Sequence, residues 1–197
     1  KLFINKNKDK DKKYKIFIEP KIKKFAEIIS LNDNISFLHY GHLGDIINCL
    51  PVIKELSKNK KCNLYIQRGK KIPNEGAKDH PFGSIFLSEK SITKILPLLK
   101  EQKFLNNVAI HNNEEIDVDL NFFRELPLNF NIDSVRWYSH ITGIHPNLID
   151  KYLDAPLNEK FKDYIVIMRS LRRQNKFIDY SFLNSYEKKV FVGLKNE

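Results

Sequence analysis

The 197-residue sequence predicts an α/β protein, a Rossmann-like parallel sheet followed by the start of a second Rossmann-like unit. Three observations carry this. Residues 35–67, "ISFLHYGHLGDIINCLPVIKELSKNKKCNLYIQ", read as strand, glycine turn, helix and strand, which is a βαβ unit. Further apolar runs, "NVAIHN" and "YIVIMRS", are as short as buried parallel strands. Segments of helical periodicity lie between them, the alternation that puts helices on the faces of a parallel sheet.

Taken in order, residues 1–13, "KLFINKNKDKDKK", form a charged low-complexity lead. "YKIFIEPKIKKFAEIISL" reads as a short strand and a helix separated by Pro20, and "NDN" at 32–34 is turn chemistry. After the strand 35–40, Ile46, Leu50, Ile53 and Leu56 recur near helical spacing. Pro51 either kinks that helix or marks its first turn. "CNLYIQ" is the second strand. Residues 68–83, "RGKKIPNEGAKDHPFG", are a long loop of the kind that is often functional. Ser88 caps a helix carrying Ile92, Ile95, Leu96 and Leu99 on one face. "IDVDLNFFREL" reads as strand then loop, and "IDSVRWYSHITGI" as a helix that buries Trp137 and Ile141 and ends near Gly143. The mixed segment 145–163 reads as a linker. "IDYSFLNSYEK" is helical and "KVFVGL" a last strand. The organisation expected is a basic lead over 1–29, a Rossmann-like domain over 30–150, and a linker with the beginning of a second domain over 151–197.

Composition bounds the function. The net charge is +10, and residues 1–24 hold ten lysines against Asp9, Asp11 and Glu19. Lysine outnumbers arginine 28 to 6, which fits AT-rich codon usage better than a nucleic-acid surface of arginines and interleaved aromatics. Nucleic acid is therefore not the expected partner, while an anionic membrane surface or a phosphorylated ligand stays open. No run approaches the roughly 18 apolar residues of a membrane span, and no signal-peptide pattern opens the chain. The two cysteines, Cys49 and Cys62, lack metal-ligand spacing and read as reduced structural thiols, so neither a metal nor a cofactor is expected. The expected location is cytoplasmic, with peripheral attachment to the inner membrane face open.

The chemistry-bearing stretch is "HYGHLGDIINCLP", residues 39–51. A strand-to-helix turn exposes backbone N–H groups at the carboxyl edge of a sheet, where open α/β folds bind ligands. Gly41 allows a tight, even left-handed turn, and Gly44 allows close approach of a ligand or backbone. The stretch is neither GxGxxG nor a P-loop, and Asp45 would repel a phosphate. Asp45 is either a first-turn helix acid or a general base that takes a proton from an acceptor hydroxyl. His42, Arg68 and His111 are further candidates for the acceptor side, with Lys70, Lys71, Asn112 and Asn113 beside them. A second cluster, "RSLRRQN", brings together Arg169, Ser170, Arg172, Arg173, Asn175 and Lys176. Half of the arginines in the chain lie there, so codon usage does not explain it. Its readings are a phosphate site, a solvated turn pairing with Asp179 or Glu187, or an RNA contact.

"HYGHLGDIINCLPVIKEL" resembles the N-terminal motif of the ADP-heptose:lipopolysaccharide heptosyltransferase family, in Gly44-Asp45, Pro51 and Leu56. "YIVIMRSLRRQNKFIDYSFL" and "FVGLKNE" are similar to later segments of heptosyltransferase-like glycosyltransferases. The resemblance implies a two-domain GT-B fold and inverting transfer of a sugar from a nucleotide-sugar to a hydroxyl of a glycan or lipid-linked acceptor. It implies Asp45 as the base, an acceptor bound mainly by the N-terminal domain and a donor bound mainly by the C-terminal one; the residues' own chemistry puts Gly41, His42, Gly44, Arg68 and His111 on the acceptor side and donor diphosphate on the 169–176 cluster. The resemblance also implies a donor domain continuing past Glu197. The alternative left by the residues themselves is a non-catalytic Rossmann-like module binding nucleotides or nucleic acid.

Overall fold

The computed structural model describes residues 10–72, 84–127, 133–156, 158–168 and 177–193. It divides into two units, Lys1–Ala155 and Pro156–Glu197, five residues later than the boundary expected from the sequence.

In the first unit the chain is helical from residue 10 to residue 31. The expected strand before Pro20 is absent. A π-helical turn, Tyr14–Ile18, runs directly into helix α1, Glu19–Leu31. Pro20 explains the turn. It has no N–H to donate and its ring crowds the carbonyl four residues back, so the chain widens there and the Glu19 N–H reaches back to the Tyr14 carbonyl. Ile18, Phe25 and Ile29 are buried in the core, so this segment is part of the first unit and not a separate lead.

Strand β1 (Asn34–His39) is followed by helix α2 (Leu43–Ser57), β2 (Lys61–Ile66), α3 (Glu89–Lys100), β3 (Asn107–Ile110) and β4 (Val118–Asp119). The strands are all parallel in the order β3-β2-β1-β4, so the chain starts at β1, builds outward to β3 and then returns to the other side of β1. Residues 111–117 make that return without a helix. Helix α2 begins at Leu43 and continues through Pro51, which therefore marks neither its start nor its end. The Ser88 hydroxyl caps α3 by accepting from the Ser91 N–H at 3.2 Å. "LNFFRE" after β4 winds into a 3₁₀ helix, Leu120–Glu125. Helix α4 (Val135–Thr142) ends at Gly143, whose φ of 72° is the left-handed C-cap that glycine adopts without strain. Trp137 and Ile141 are buried, with Trp137 stacked on Phe123 at 5.1 Å.

The expected linker is held down over its first half. The buried Gln102 carboxamide donates to the Asp154 carbonyl at 2.7 Å and accepts from the Asp154 N–H at 2.8 Å, a two-point clamp on the backbone. Tyr152 and Leu153 pack against the core beside it.

The second unit contains β5 (Ile165–Met168) and β6 (Lys189–Val192), paired in parallel with Ile165 opposite Lys189. The helix expected between them is a 3₁₀ turn, Ser181–Ser185, among the described residues. Asp179 starts this turn by accepting from the Ser181 N–H and hydroxyl at 2.9 and 2.7 Å, which lowers its carboxyl below the ordinary value. Among the described residues no helix is long and apolar enough to cross a membrane.

Candidate active site

Register decides which residues share an edge. His39, Ile66 and Ile110 lie side by side at the carboxyl ends of β1, β2 and β3. The chain leaving each strand continues the ladder by one bond. The Gln67 N–H donates to the His39 carbonyl at 2.9 Å, and the His111 N–H to the Ile66 carbonyl at 3.0 Å. The glycine turn after β1, Arg68 after β2 and His111 after β3 therefore emerge along one edge. Asn121 closes the far side, beyond β4. Its carboxamide oxygen accepts from the Tyr40 N–H at 3.0 Å, and its own N–H donates to Asp119 Oδ1 at 2.9 Å. The gap between β1 and β4 is where strand order reverses, the place at which such sheets bind ligands.

Asp45 sits in that gap, in the first turn of α2. Its Oδ2 accepts from the His42 N–H at 3.1 Å, which satisfies one of the orphan donors at the helix start. The same oxygen is 2.6 Å from Nη2 of Arg124, which comes from the 3₁₀ helix after β4. Arg124 lies between two rings, with its guanidinium carbon 4.4 Å from the Phe86 centroid and 4.5 Å from that of Phe123. Its Nε is buried with no hydrogen-bond partner among the described residues. The two charged side chains keep 22% and 26% of their surface exposed. Among the described residues no donor reaches Asp45 Oδ1.

Below the pair runs a directed chain of hydrogen bonds. The Gly41 N–H donates to Nδ1 of His39 at 2.9 Å. That fixes the proton of the neutral imidazole on Nε2, which is 3.0 Å from the Tyr138 hydroxyl and donates to it. The Tyr138 hydroxyl in turn donates to the Asp45 carbonyl at 2.9 Å. Burial pushes the His39 imidazole down to about 3; the Asp45 carboxylate opposes this and the Arg124 charge adds to it. Burial also pushes the Tyr138 hydroxyl well above its ordinary value.

The two glycines have roles different from those the sequence implies. Gly41 has no left-handed φ. Its need for glycine is steric, because a Cβ there would stand 2.7 Å from Asp45 Oδ2, 2.7 Å from His39 Cε1 and 2.8 Å from Arg124 Nη2. Gly44 has nothing within 4 Å of such a Cβ, so open space lies beside it. A Gly41→Ala protein is therefore expected to lose about 1–3 kcal/mol of stability by overpacking. Gly44→Ala is expected to be neutral or to gain up to about 1 kcal/mol from helix propensity. Urea unfolding of the two variants checks the contrast, and equal midpoints would contradict it.

The remaining acceptor-side candidates are dispersed. Nδ1 of His42 donates to the Phe86 carbonyl at 3.0 Å, which ties the glycine turn to the far end of the long loop. Residues 73–83 of that loop lie outside the described residues, while Gly69 and Lys70 pair with Leu87 and Phe86 at its two ends. Arg68 is exposed and paired with Glu89 at 2.8 Å. His111 is half-buried and Nε2 donates to the Glu114 carbonyl at 3.1 Å. Lys70 extends over the Tyr40 ring at 5.3 Å. Asn113 takes a left-handed φ of 68° in the turn after β3. The cluster Arg169, Ser170, Arg172, Arg173, Asn175 and Lys176 lies outside the described residues. Cys49 and Cys62 are buried free thiols pushed up by burial, Cys62 to about 12, which leaves them unreactive. Among the described residues no group of three metal-ligating side chains occurs.

Arg124, Phe86, Tyr138, Asn121 and His39 were not singled out from the sequence. His39 carried a signal, since it shares the inward parity of Ile35 and Phe37 in β1. Arg124 carried a weaker one, as a lone cation after two phenylalanines in "NFFREL". Phe86, Asn121 and Tyr138 have no local pattern that marks them, because they reach the site only through the fold.

No family model, curated protein or solved structure matches the chain.

Proposed function

We propose that the first unit is the acceptor half of an inverting GT-B sugar transferase that uses a nucleotide-sugar donor, with Asp45 as its general base. The observation that carries this is the position of Asp45 at the β1/β4 switch, with Oδ2 held by two donors and Oδ1 reached by none among the described residues. A carboxylate fixed in this way has one oxygen to take a proton and little rotational freedom to lose when it does so. Open space beside Gly44 leaves room for an acceptor hydroxyl. As Oδ1 takes the hydroxyl proton, the acceptor oxygen bonds to the anomeric carbon on the face opposite the diphosphate. The bond from that carbon to the diphosphate oxygen breaks, and the configuration inverts. On sequence grounds the cluster Arg169, Arg172, Arg173 and Lys176 is assigned to the negative charge that develops on the leaving group. The acceptor belongs to a glycan or a lipid-linked saccharide, and the transferred sugar is a hexose or heptose.

One observation favours a second reading. Binding the first-turn N–H and Arg124 through the same oxygen is also what a purely structural carboxylate does. On that reading the chain is a Rossmann-like binding module without catalysis.

The test is transfer of labelled sugar from a set of nucleoside-diphosphate sugars to oligosaccharide and lipid-linked acceptors by the protein expressed from its complete reading frame. The expected product carries the inverted anomeric configuration by NMR. A folded protein that binds nucleotide but transfers nothing would leave the module reading in its place.

A further inference from the structure

The helical segment from residue 10 to residue 31 does two things at once. Its inner stripe, Ile18, Phe25 and Ile29, is buried in the core of the first unit. Its outer surface is not the polar face expected of a helix anchored in that way. Phe17 is 67% exposed, Leu31 73% and Ile16 51%. Phe17, Lys21, Lys24 and Leu31 follow at spacings of four, three and seven, which places them along one flank of the helix. Phe17 and Leu31 mark the ends of about 21 Å of that flank. The lysines around them are mostly uncommitted. Lys13 pairs with Glu125, Lys23 with Glu19, and Lys21 lies over the Phe25 ring at 5.0 Å, but Lys10, Lys12, Lys15, Lys21 and Lys24 have no carboxylate within ion-pair distance among the described residues. Exposed aromatic and aliphatic side chains set among ammonium groups with no carboxylate partner among the described residues match the chemistry of an interface that is apolar just beneath a layer of negative charge.

We propose that this outer flank docks the protein on an anionic lipid surface, with Phe17 and Leu31 entering the headgroup boundary and Lys10, Lys21 and Lys24 lying on the lipid phosphates. The helix's core stripe stays in the protein, so docking needs no unfolding and the sheet is held at a fixed distance from the membrane. A nucleic acid would satisfy the lysines. It would leave an exposed aliphatic Leu31 and Ile16 without a partner, since single-stranded bases stack on aromatic and guanidinium planes. The proposal stands independently of the sugar-transfer reading, because neither Asp45 nor the switch-point crevice takes part in it.

Phe17→Trp in the full chain gives the decisive probe. The single native tryptophan, Trp137, is buried and contributes a constant background. Emission of the new indole is expected to shift to the blue on adding vesicles with about 30 mol % phosphatidylglycerol in phosphatidylcholine, and not with phosphatidylcholine alone. Co-sedimentation with the anionic vesicles is expected to weaken as salt rises from about 50 to about 300 mM. It is expected to fall about tenfold in the Lys21→Glu/Lys24→Glu protein. The proposal is overturned if the Phe17→Trp emission ignores anionic vesicles, if both vesicle types bind equally, or if single-stranded RNA shifts the emission and vesicles do not. Phe17 is exposed, so the emission result stands even if the double charge reversal fails to fold.

Discussion

An Asp45→Asn protein is expected to fold and to lose turnover by about 10²–10⁴-fold, the usual contribution of a positioned base. Asparagine has nearly the same shape. Its carbonyl oxygen still accepts from the His42 N–H and from Arg124, so the start of α2 keeps its cap. What is lost for stability is the charge in a pair that is about a quarter exposed on each side, worth on the order of 1 kcal/mol after solvent screening. What is lost for chemistry is complete, because an amide does not take up a proton at neutral pH. The two readings of Asp45 therefore separate in one protein. A base gives a small loss of stability and a large loss of kcat. A helix acid gives the same small loss of stability with no rate change from the native protein, whose transfer rate on that reading is itself at background. Urea unfolding and initial rates on one preparation distinguish them. Arg124 acts through Asp45 and is a positioning residue. Arg124→Gln should lower kcat with little change in KM, and Arg124→Lys should recover part of it, since an ammonium supplies the charge without the planar stacking between Phe86 and Phe123.

The architecture around this pair was readable in the sequence because it depends on local patterns. The apolar run 35–40, the glycine turn and the helical spacing of Ile46, Leu50, Ile53 and Leu56 dictate a βαβ unit, and β1, α2 and β2 are where those patterns stand. Two errors came from giving proline too much weight. Pro20 was read as a separator, but the helix absorbs it with one π turn. Pro51 was read as either a kink or a helix start; the start is excluded, because tertiary packing carries α2 through it, with Ile46, Leu50 and Ile53 fully buried on either side. The site was only half legible. Gly41 and Asp45 stand in the motif. Their partners Arg124 and Tyr138 lie 79 and 93 residues away from Asp45, and no spacing rule links them to it. The reason for Gly41 illustrates the limit. Sequence reasoning offers conformational freedom, whereas the fold requires the absence of a Cβ beside three atoms from three different residues.

Stability is expected to fall as pH drops below about 6.5, through His39, well before the carboxylates begin to protonate. Folded, His39 is buried and holds its proton only near pH 3, whereas in the unfolded chain it titrates at its ordinary value. Between those two values the unfolded state binds more protons, so stability rises with pH across that window. The contribution is complete above about 6.5 and is lost as pH falls toward 3, at a rate of up to about 1.4 kcal/mol per pH unit. Urea midpoints between pH 8 and pH 5 should show this slope. In His39→Gln, which keeps a polar group but has nothing to titrate, the slope should flatten, at some loss of stability at pH 8. A slope that persists in the variant would assign it elsewhere. The hydrogen bonds show why the proton is so strongly refused. Nδ1 accepts from the Gly41 N–H, and a proton placed on it would set two donors against each other at 2.9 Å in a site sealed from water. The turn that carries Asp45 would have to open to relieve that conflict, so the acid sensitivity of the fold and the geometry of its candidate base have the same origin.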